Sequence, residues 1–194
     1  SLGLSNVHAE KVTVPHWVRG VETADLVVPV KRHLAVTALG GSVATPPSGL
    51  EAEVLRVESL QAPEAVPREK AEGRIVFFDK VMERTVSGKG YGKTVDVRRS
   101  GASEAAKKGA VASLIRTVGT SDARFPHTGA MRYDEGVTKI PAGALSVPDA
   151  ELLIRWTQAC CLVPRMIMNS WKAGGVVTSP WLHPEATAPI RAAV

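Results

Sequence analysis

An α/β fold built on a parallel strand pair is what this sequence predicts, and three adjoining segments carry the prediction. The first is an amphipathic helix opening the stretch Val95–Arg116: Val95, Ala102, Ala105, Ala106 and Gly109 fall on one face, while Arg99, Ser103 and Lys107 step along the other. Its inner face holds almost nothing larger than alanine, so the helix axis can lie close to a sheet, and Ala106 is placed where no larger side chain fits. Gly109 supplies the stop, because glycine accepts the left-handed conformation that ends helices. The second segment, Ala110-Val111-Ala112-Ser113-Leu114-Ile115, follows directly and has the length and apolarity of a strand covered on both faces. The third, Arg74-Ile75-Val76-Phe77-Phe78-Asp79, lies upstream as a second buried strand. Strand, helix and strand in this order make a βαβ unit with parallel pairing and a right-handed crossover.

Composition bounds the rest. In 194 residues, 44% hydrophobic and 22% charged, there is enough apolar material for one folded domain and too much for a disordered chain. No apolar run approaches the roughly 18 residues of a membrane-spanning helix. The net charge of +5 is scattered, with doublets only at Arg98-Arg99 and Lys107-Lys108, and aromatics at 5% are too few for a stacking platform, which argues against nucleic acid. Ser1 stands where a methionine would, which reads as a processed product or a fragment and leaves the compartment open. Cys160 and Cys161 are adjacent, a spacing that strains a disulfide, and read as two small buried residues.

Taken in order, Glu10–Val14 alternates as a half-exposed strand, and Pro15–Gly20 reads as a strand leaving an edge, with Trp17 packing and Arg19 pairing. Leu34–Leu39 is an apolar strand closed by Gly40-Gly41; Thr45–Gly49 is a proline-rich surface turn. Glu51–Val57 alternates as a strand, and Pro63–Glu72 is a charged connection into the strand at Arg74. Beyond the central unit a long loop runs from Thr117 to Lys139. Ile140–Leu145 is a short strand, after which Ser146 caps a helix with Pro148 in its first turn, Asp149 at the capping-box position, and Leu152, Leu153 and Trp156 on its apolar face. From Cys160 onward prolines and tryptophans appear without periodicity.

Three chemical constellations are weighed and fall short. Ser87–Thr94 (SGKGYGKT) ends like a phosphate-binding loop, but Ser87 occupies the position of its first glycine, so a flexible glycine loop is the expected form and nucleotide binding the minor alternative. His8-Ala9-Glu10 and His183-Pro184-Glu185 are the His-x-Glu pairs, lie at opposite ends and lack the further ligands a zinc site needs. No Gly-x-Ser-x-Gly elbow is present for a serine nucleophile. What remains is the long loop, where Arg124, His127, Thr128 and Tyr133 supply hydrogen-bond donors suited to peptide backbone or carboxylates. A loop fastened to itself by His127 is the equal alternative.

Resemblance adds what these motifs lack. The runs Val14-Pro15-His16-Trp17-Val18-Arg19-Gly20, Gly40-Gly41-Ser42 leading to Thr45-Pro46-Pro47, the Gly101–Arg116 core, Pro126-His127-Thr128-Gly129, and Lys139-Ile140-Pro141 with Asp149-Ala150-Glu151 together resemble the carboxypeptidase Q-like zinc peptidases of metallopeptidase family 28. The likeness runs from about Leu2 to Thr157 and covers the family's protease-associated (PA) domain. It implies a mixed sheet or open barrel with flanking helices, of the swivelling β/β/α type. It divides the chain into an amino-terminal peptidase-derived segment with an incoming strand (1–20), the protease-associated domain (21–159) and an atypical tail (160–194). In that family two zinc ions are held by residues that follow the inserted domain, so the resemblance implies no catalytic residue, metal or cofactor here and zinc in the full-length peptidase. The implied role is to cover the active-site cleft and restrict which peptides enter. Partners are then the rest of the peptidase or its peptides, with no nucleic acid or membrane, in a secreted or periplasmic parent. A free-standing peptide- or protein-binding module is the alternative. After Thr157 the sequence departs from the family pattern, which would continue as a regular strand.

Overall fold

The computed structural model describes residues 8, 14–60, 68–158, 163–169 and 177–179. Two compact units result. The smaller one holds a two-stranded antiparallel ribbon, β1 (Val14–His16) and β10 (Val177–Ser179), with Val14 opposite Ser179. The larger, Arg19–Ala173, holds everything else described below.

Its sheet contains β2 (Thr23–Val28), β3 (Arg32–Leu34), β4 (Val36–Ala38), β5 (Leu50–Val57), β6 (Ile75–Phe78), β7 (Ala112–Arg116), β8 (Ala142–Leu145) and β9 (Arg165–Asn169). The order is β3-β2-β9-β5-β6-β7-β8-β4. The four strands from β5 to β8 are parallel, and the pairings at either side are antiparallel, so the sheet is mixed as expected. Strands β3 and β4 occupy opposite ends of that order, yet only Ala35 separates them in the chain. A single residue cannot span an open sheet, so the two edges meet and the sheet nearly closes on itself. The run Leu34–Leu39, read as one strand, is therefore two, broken at Ala35.

Parallel pairing of β6 with β7 follows the prediction, Val76 opposite Ser113 and Phe77 opposite Leu114, and both strands are buried throughout. The crossover between them is α3 (Asp96–Lys107). Its phase differs from the sequence reading at two positions. Ser103 is fully buried, not on the outer face, because its hydroxyl accepts the backbone N–H of Asp134 at 2.9 Å from a loop the periodicity could not foresee. Ala106 is half-buried at the margin of the core, and the tightest contact belongs to Gly101, where an added Cβ would stand 3.1 Å from the Phe78 ring. Gly101→Leu is accordingly expected to destabilise by about 1–3 kcal/mol through overpacking, whereas Ala106→Leu should stay within about 1 kcal/mol. Urea unfolding of both variants checks the phase directly, since a reversed ranking would return Ala106 to the sheet face.

The glycine-rich Ser87–Thr94 segment is not a loop. It forms α2 (Lys89–Thr94), which runs on into α3. Gly88 takes φ 70° before the helix, a conformation that favours glycine. Gly90 is needed because a Cβ there would lie 1.9 Å from the Glu83 carbonyl oxygen, and the Thr94 hydroxyl donates back to the Gly90 carbonyl at 3.0 Å. Arg68–Ala71 adds a short helix, α1, before β6.

Strand β9 lies between β2 and β5, where Met166 and Met168, both fully buried, face Ala24, Leu26 and Ala52. The sheet thus extends past the 21–159 range expected for the domain, and a regular strand stands where the sequence after Thr157 reads as irregular. Cys160, Cys161, His183 and Glu185 lie outside the described residues, as does the predicted strand before Val14.

Helix α4 (Val147–Gln158) begins at Ser146 as predicted, the Ser146 hydroxyl accepting the Asp149 N–H at 3.2 Å. Asp149, however, does not close a capping box on the Ser146 backbone. Its carboxylate, 2% exposed as a residue, accepts the Ala35 N–H at 2.9 Å and the Ser146 hydroxyl at 2.7 Å. The Ser146 N–H goes instead to the Ala35 carbonyl. One aspartate therefore holds the residue at which β3 gives way to β4.

Candidate functional site

Four parallel strands end on one side of the sheet, the edge where α/β proteins present functional groups. Two buried carboxylates organise it. Asp79, immediately after β6, receives Arg116 Nε at 2.7 Å on one oxygen and Arg56 at 2.8–2.9 Å on the other. Arg116 also approaches Glu151 at 3.6 Å. Asp149 receives Arg124 Nε at 2.9 and 3.0 Å. Every charge in these clusters is matched, and none is left over for a ligand.

The loop from Thr117 to Lys139 starts on this edge and runs back along α3. It is tied down at intervals. The Thr117 hydroxyl donates to the His127 carbonyl at 2.6 Å and accepts the His127 N–H. Gly40 donates to the Gly129 carbonyl at 3.0 Å and accepts the Met131 N–H at 2.8 Å; Met131 itself is buried in the core. The loop therefore packs into the domain as well as running over its surface.

The four residues singled out in it have separate fates. Arg124 is spent structurally, on Asp149 and on the His33 carbonyl of β3. Tyr133 staples the turn after β4 to the start of β8: its hydroxyl donates to the Ile140 carbonyl and accepts the Val43 N–H at 3.1 Å, with Lys139 Nζ 5.9 Å from the ring centroid. Thr128 is half-buried with no side-chain hydrogen bond among the described residues. His127 is exposed, and its imidazole makes no hydrogen bond to them, although its backbone is clamped at both N–H and C=O. The fastening is done by Thr117, not by the imidazole, so the geometry brings Arg124 and Tyr133 into the scaffold and leaves His127 to face outward. Phe125, 76% exposed two residues away, is an apolar group on the same loop that sequence reading did not select. Exposure of that kind has no signal in the sequence, where an aromatic in a loop reads as packing.

Burial pushes the Tyr133 hydroxyl above its ordinary pKa, outweighing the hydrogen bonds from Val43 and Ser42 that act the other way. A raised folded value means stability that is whole below the unfolded tyrosine pKa of about 10 and lost as pH rises through the folded value. Tyr133→Phe should cost about 0.5–1.5 kcal/mol at neutral pH and flatten that alkaline decline. Denaturant melts of the two proteins at several pH values from neutral to alkaline decide it; parallel curves would mean the hydroxyl is not buried as described.

Among the described residues no group of three or more His, Cys, Asp or Glu side chains converges as metal ligands, and His33 bonds Asp25 in an exposed pair at 3.0 Å. Also among them, no helix is long and apolar enough to cross a membrane.

A nearly closed mixed sheet around a βαβ unit, with helices outside and the buried Asp79 and Asp149 each paired with arginine, defines a domain of the protease-associated type. No family model matches the chain. Its relatives are nonetheless clear. It is 44% identical over 153 residues to the carboxypeptidase Q of Mus musculus and 48% identical over 153 residues to that of Rattus norvegicus, each match taking in 79% of this chain and 31% of the relative. The peptidase M28 precursor of Shewanella amazonensis SB2B matches the structure with a TM-score of 0.82 at 43% identity, over 90% of this chain and 39% of that one. A zinc aminopeptidase from Bacillus subtilis, 20% identical with a TM-score of 0.55 over 84% of this chain and 32% of its own, shares the fold. The chain is thus homologous to the protease-associated region of the carboxypeptidase Q-like peptidases of metallopeptidase family 28, and spans about a third of the length of those relatives.

Proposed function

We propose that this chain serves as the noncatalytic protease-associated region of a family 28 zinc peptidase, covering the active-site cleft and restricting which peptides enter. In this reading the rest of the peptidase holds the zinc and performs the hydrolysis. The observation that carries it is the state of His127. A loop fastened at Thr117, Arg124, Gly129 and Tyr133 has little freedom left, and it presents one imidazole without a partner among the described residues, on the same loop as an exposed Phe125. A rigid loop with an aromatic and a hydrogen-bonding group is a means of positioning a peptide, because the entropy of ordering those side chains is already met.

The test uses a chimera in which residues 19–169 of this chain replace the homologous region of the Shewanella amazonensis peptidase. His127→Ala in that enzyme is expected to lower kcat/KM for short peptides by about tenfold, the worth of one hydrogen bond made to substrate. Its melting temperature should not move, since the imidazole ties nothing down. A fall in stability with normal turnover of the folded enzyme would make His127 a fastener and remove it from the cleft.

A further inference from the structure

We propose that the groove between α3 and the loop segment 129–134 is a binding site for the acidic side chains of a peptide, read by Arg98, Arg99 and Arg132. This goes beyond the cleft-facing role of His127, because the groove's charge chemistry is the same wherever the domain sits in a larger protein.

The groove encloses about 420 Å³ and is lined by Arg99, Ser100, Ala130, Met131, Arg132 and Asp134. Beside the groove, next to Arg99 in α3, Arg98 is held flat. Its guanidinium lies 5.5 Å from the Tyr91 ring centroid and also against Gly129, where a Cβ would come within 2.7 Å of the guanidinium carbon. Gly129 is therefore the residue that lets Arg98 into this slot. A planar cation held against an aromatic ring and a backbone is preorganised for a carboxylate. It has none. Among the described residues Arg98 Nε is buried and makes no hydrogen bond, whereas the other partly or fully buried arginines there, Arg56, Arg74 and Arg116, each pair with Asp79 or Glu53. A buried cationic donor left open is the kind of group that a ligand completes.

Arg99 and Arg132 extend the same charge along the groove, and the Arg132 N–H approaches the Arg99 carbonyl at 3.4 Å, which keeps the two side chains on neighbouring backbone. Neither forms an ion pair among the described residues. The one acid lining the groove, Asp134, is held by Lys107 at 2.7 Å, with Glu104 on the same ammonium at 2.8 Å. Three arginines without carboxylates suit more than one acidic side chain, which favours a run of Asp or Glu over a single terminal carboxylate.

The 194-residue chain is titrated calorimetrically with three probes: acetyl-Gly-Asp-Glu-Glu-Gly-amide, its Asn/Gln isostere, and a neutral peptide with a free carboxyl terminus. The acidic probe alone should bind, and raising the salt concentration should weaken it. Arg132→Gln removes an exposed side chain, so folding is not at stake, and should weaken binding by about tenfold. Arg98→Lys keeps the charge and loses the planar fork, and should weaken it as well. Equal affinity for the isostere, binding only through a free carboxyl terminus, no binding of the acidic probe, or an Arg132→Gln titration identical to the unmodified chain would each overturn the proposal.

Discussion

Asp149→Ala is expected to destabilise the domain by about 3–5 kcal/mol, the cost of removing one member of a buried ion pair and leaving its partners uncompensated. Three separate groups lose an acceptor at once: the Ala35 N–H, the Ser146 hydroxyl and the Arg124 guanidinium. The first matters most for the fold, because Ala35 is the junction through which the two edges of the sheet meet. Arg124→Ala is the informative companion. Its side chain is about half exposed, at 47%, so its loss should cost less than that of the carboxylate, and a double-mutant cycle will give a coupling below the full Asp149 effect. Equilibrium unfolding by denaturant provides all three numbers. A cost under about 1 kcal/mol for Asp149→Ala would mean that the edges are held by packing alone.

Asp79→Asn is expected to cost a comparable 3–5 kcal/mol for a different reason. The amide keeps the shape and removes the charge that neutralises Arg116, whose side chain is 6% exposed, and Arg56, at 24%. A buried guanidinium cannot shed its proton to escape the penalty, as a lysine can. Replacing Asp79 and Arg116 together with apolar residues of similar volume should recover much of the loss, since desolvation offsets most of what a buried ion pair contributes. Thermal melts of the single and double variants test this; no recovery in the double variant would show that the pair specifies the edge geometry rather than merely balancing charge.

These two aspartates also mark what could and could not be read from the sequence. The βαβ unit was legible because its information is local: helical periodicity before Gly109, then an apolar run, with a second run upstream. Asp149 was visible as a capping residue, but its task at Ala35 depends on a contact 114 positions away. For the same reason the break between β3 and β4 was hidden inside an unbroken apolar run. Strand β9 was missed because Arg165-Met166-Ile167-Met168-Asn169 has little β-branched content and pairs with strands more than a hundred residues earlier. Helix α2 was missed because glycine disfavours helices, and only the close approach of Glu83 to Gly90 explains the choice.

The site was half legible. Residue types in the 117–139 loop pointed to hydrogen bonding, and the loop does carry it, but Arg124 and Tyr133 turn inward while His127 stays out. Nothing local distinguishes those outcomes, since each depends on whether a distant acceptor reaches the loop. Arg98 was seen only as half of a basic doublet; that it lies against Gly129 without a carboxylate required the loop's path along α3.

The claim at the centre of this account is that the domain faces the peptide cleft of a family 28 peptidase through the His127 loop. A photo-crosslinking amino acid placed at position 127 of the Shewanella chimera, irradiated with a labelled, slowly cleaved peptide, tests it most directly. A crosslink to the peptide that excess unlabelled peptide suppresses is the expected result. Crosslinks confined to the protein, and unchanged by peptide, would contradict it.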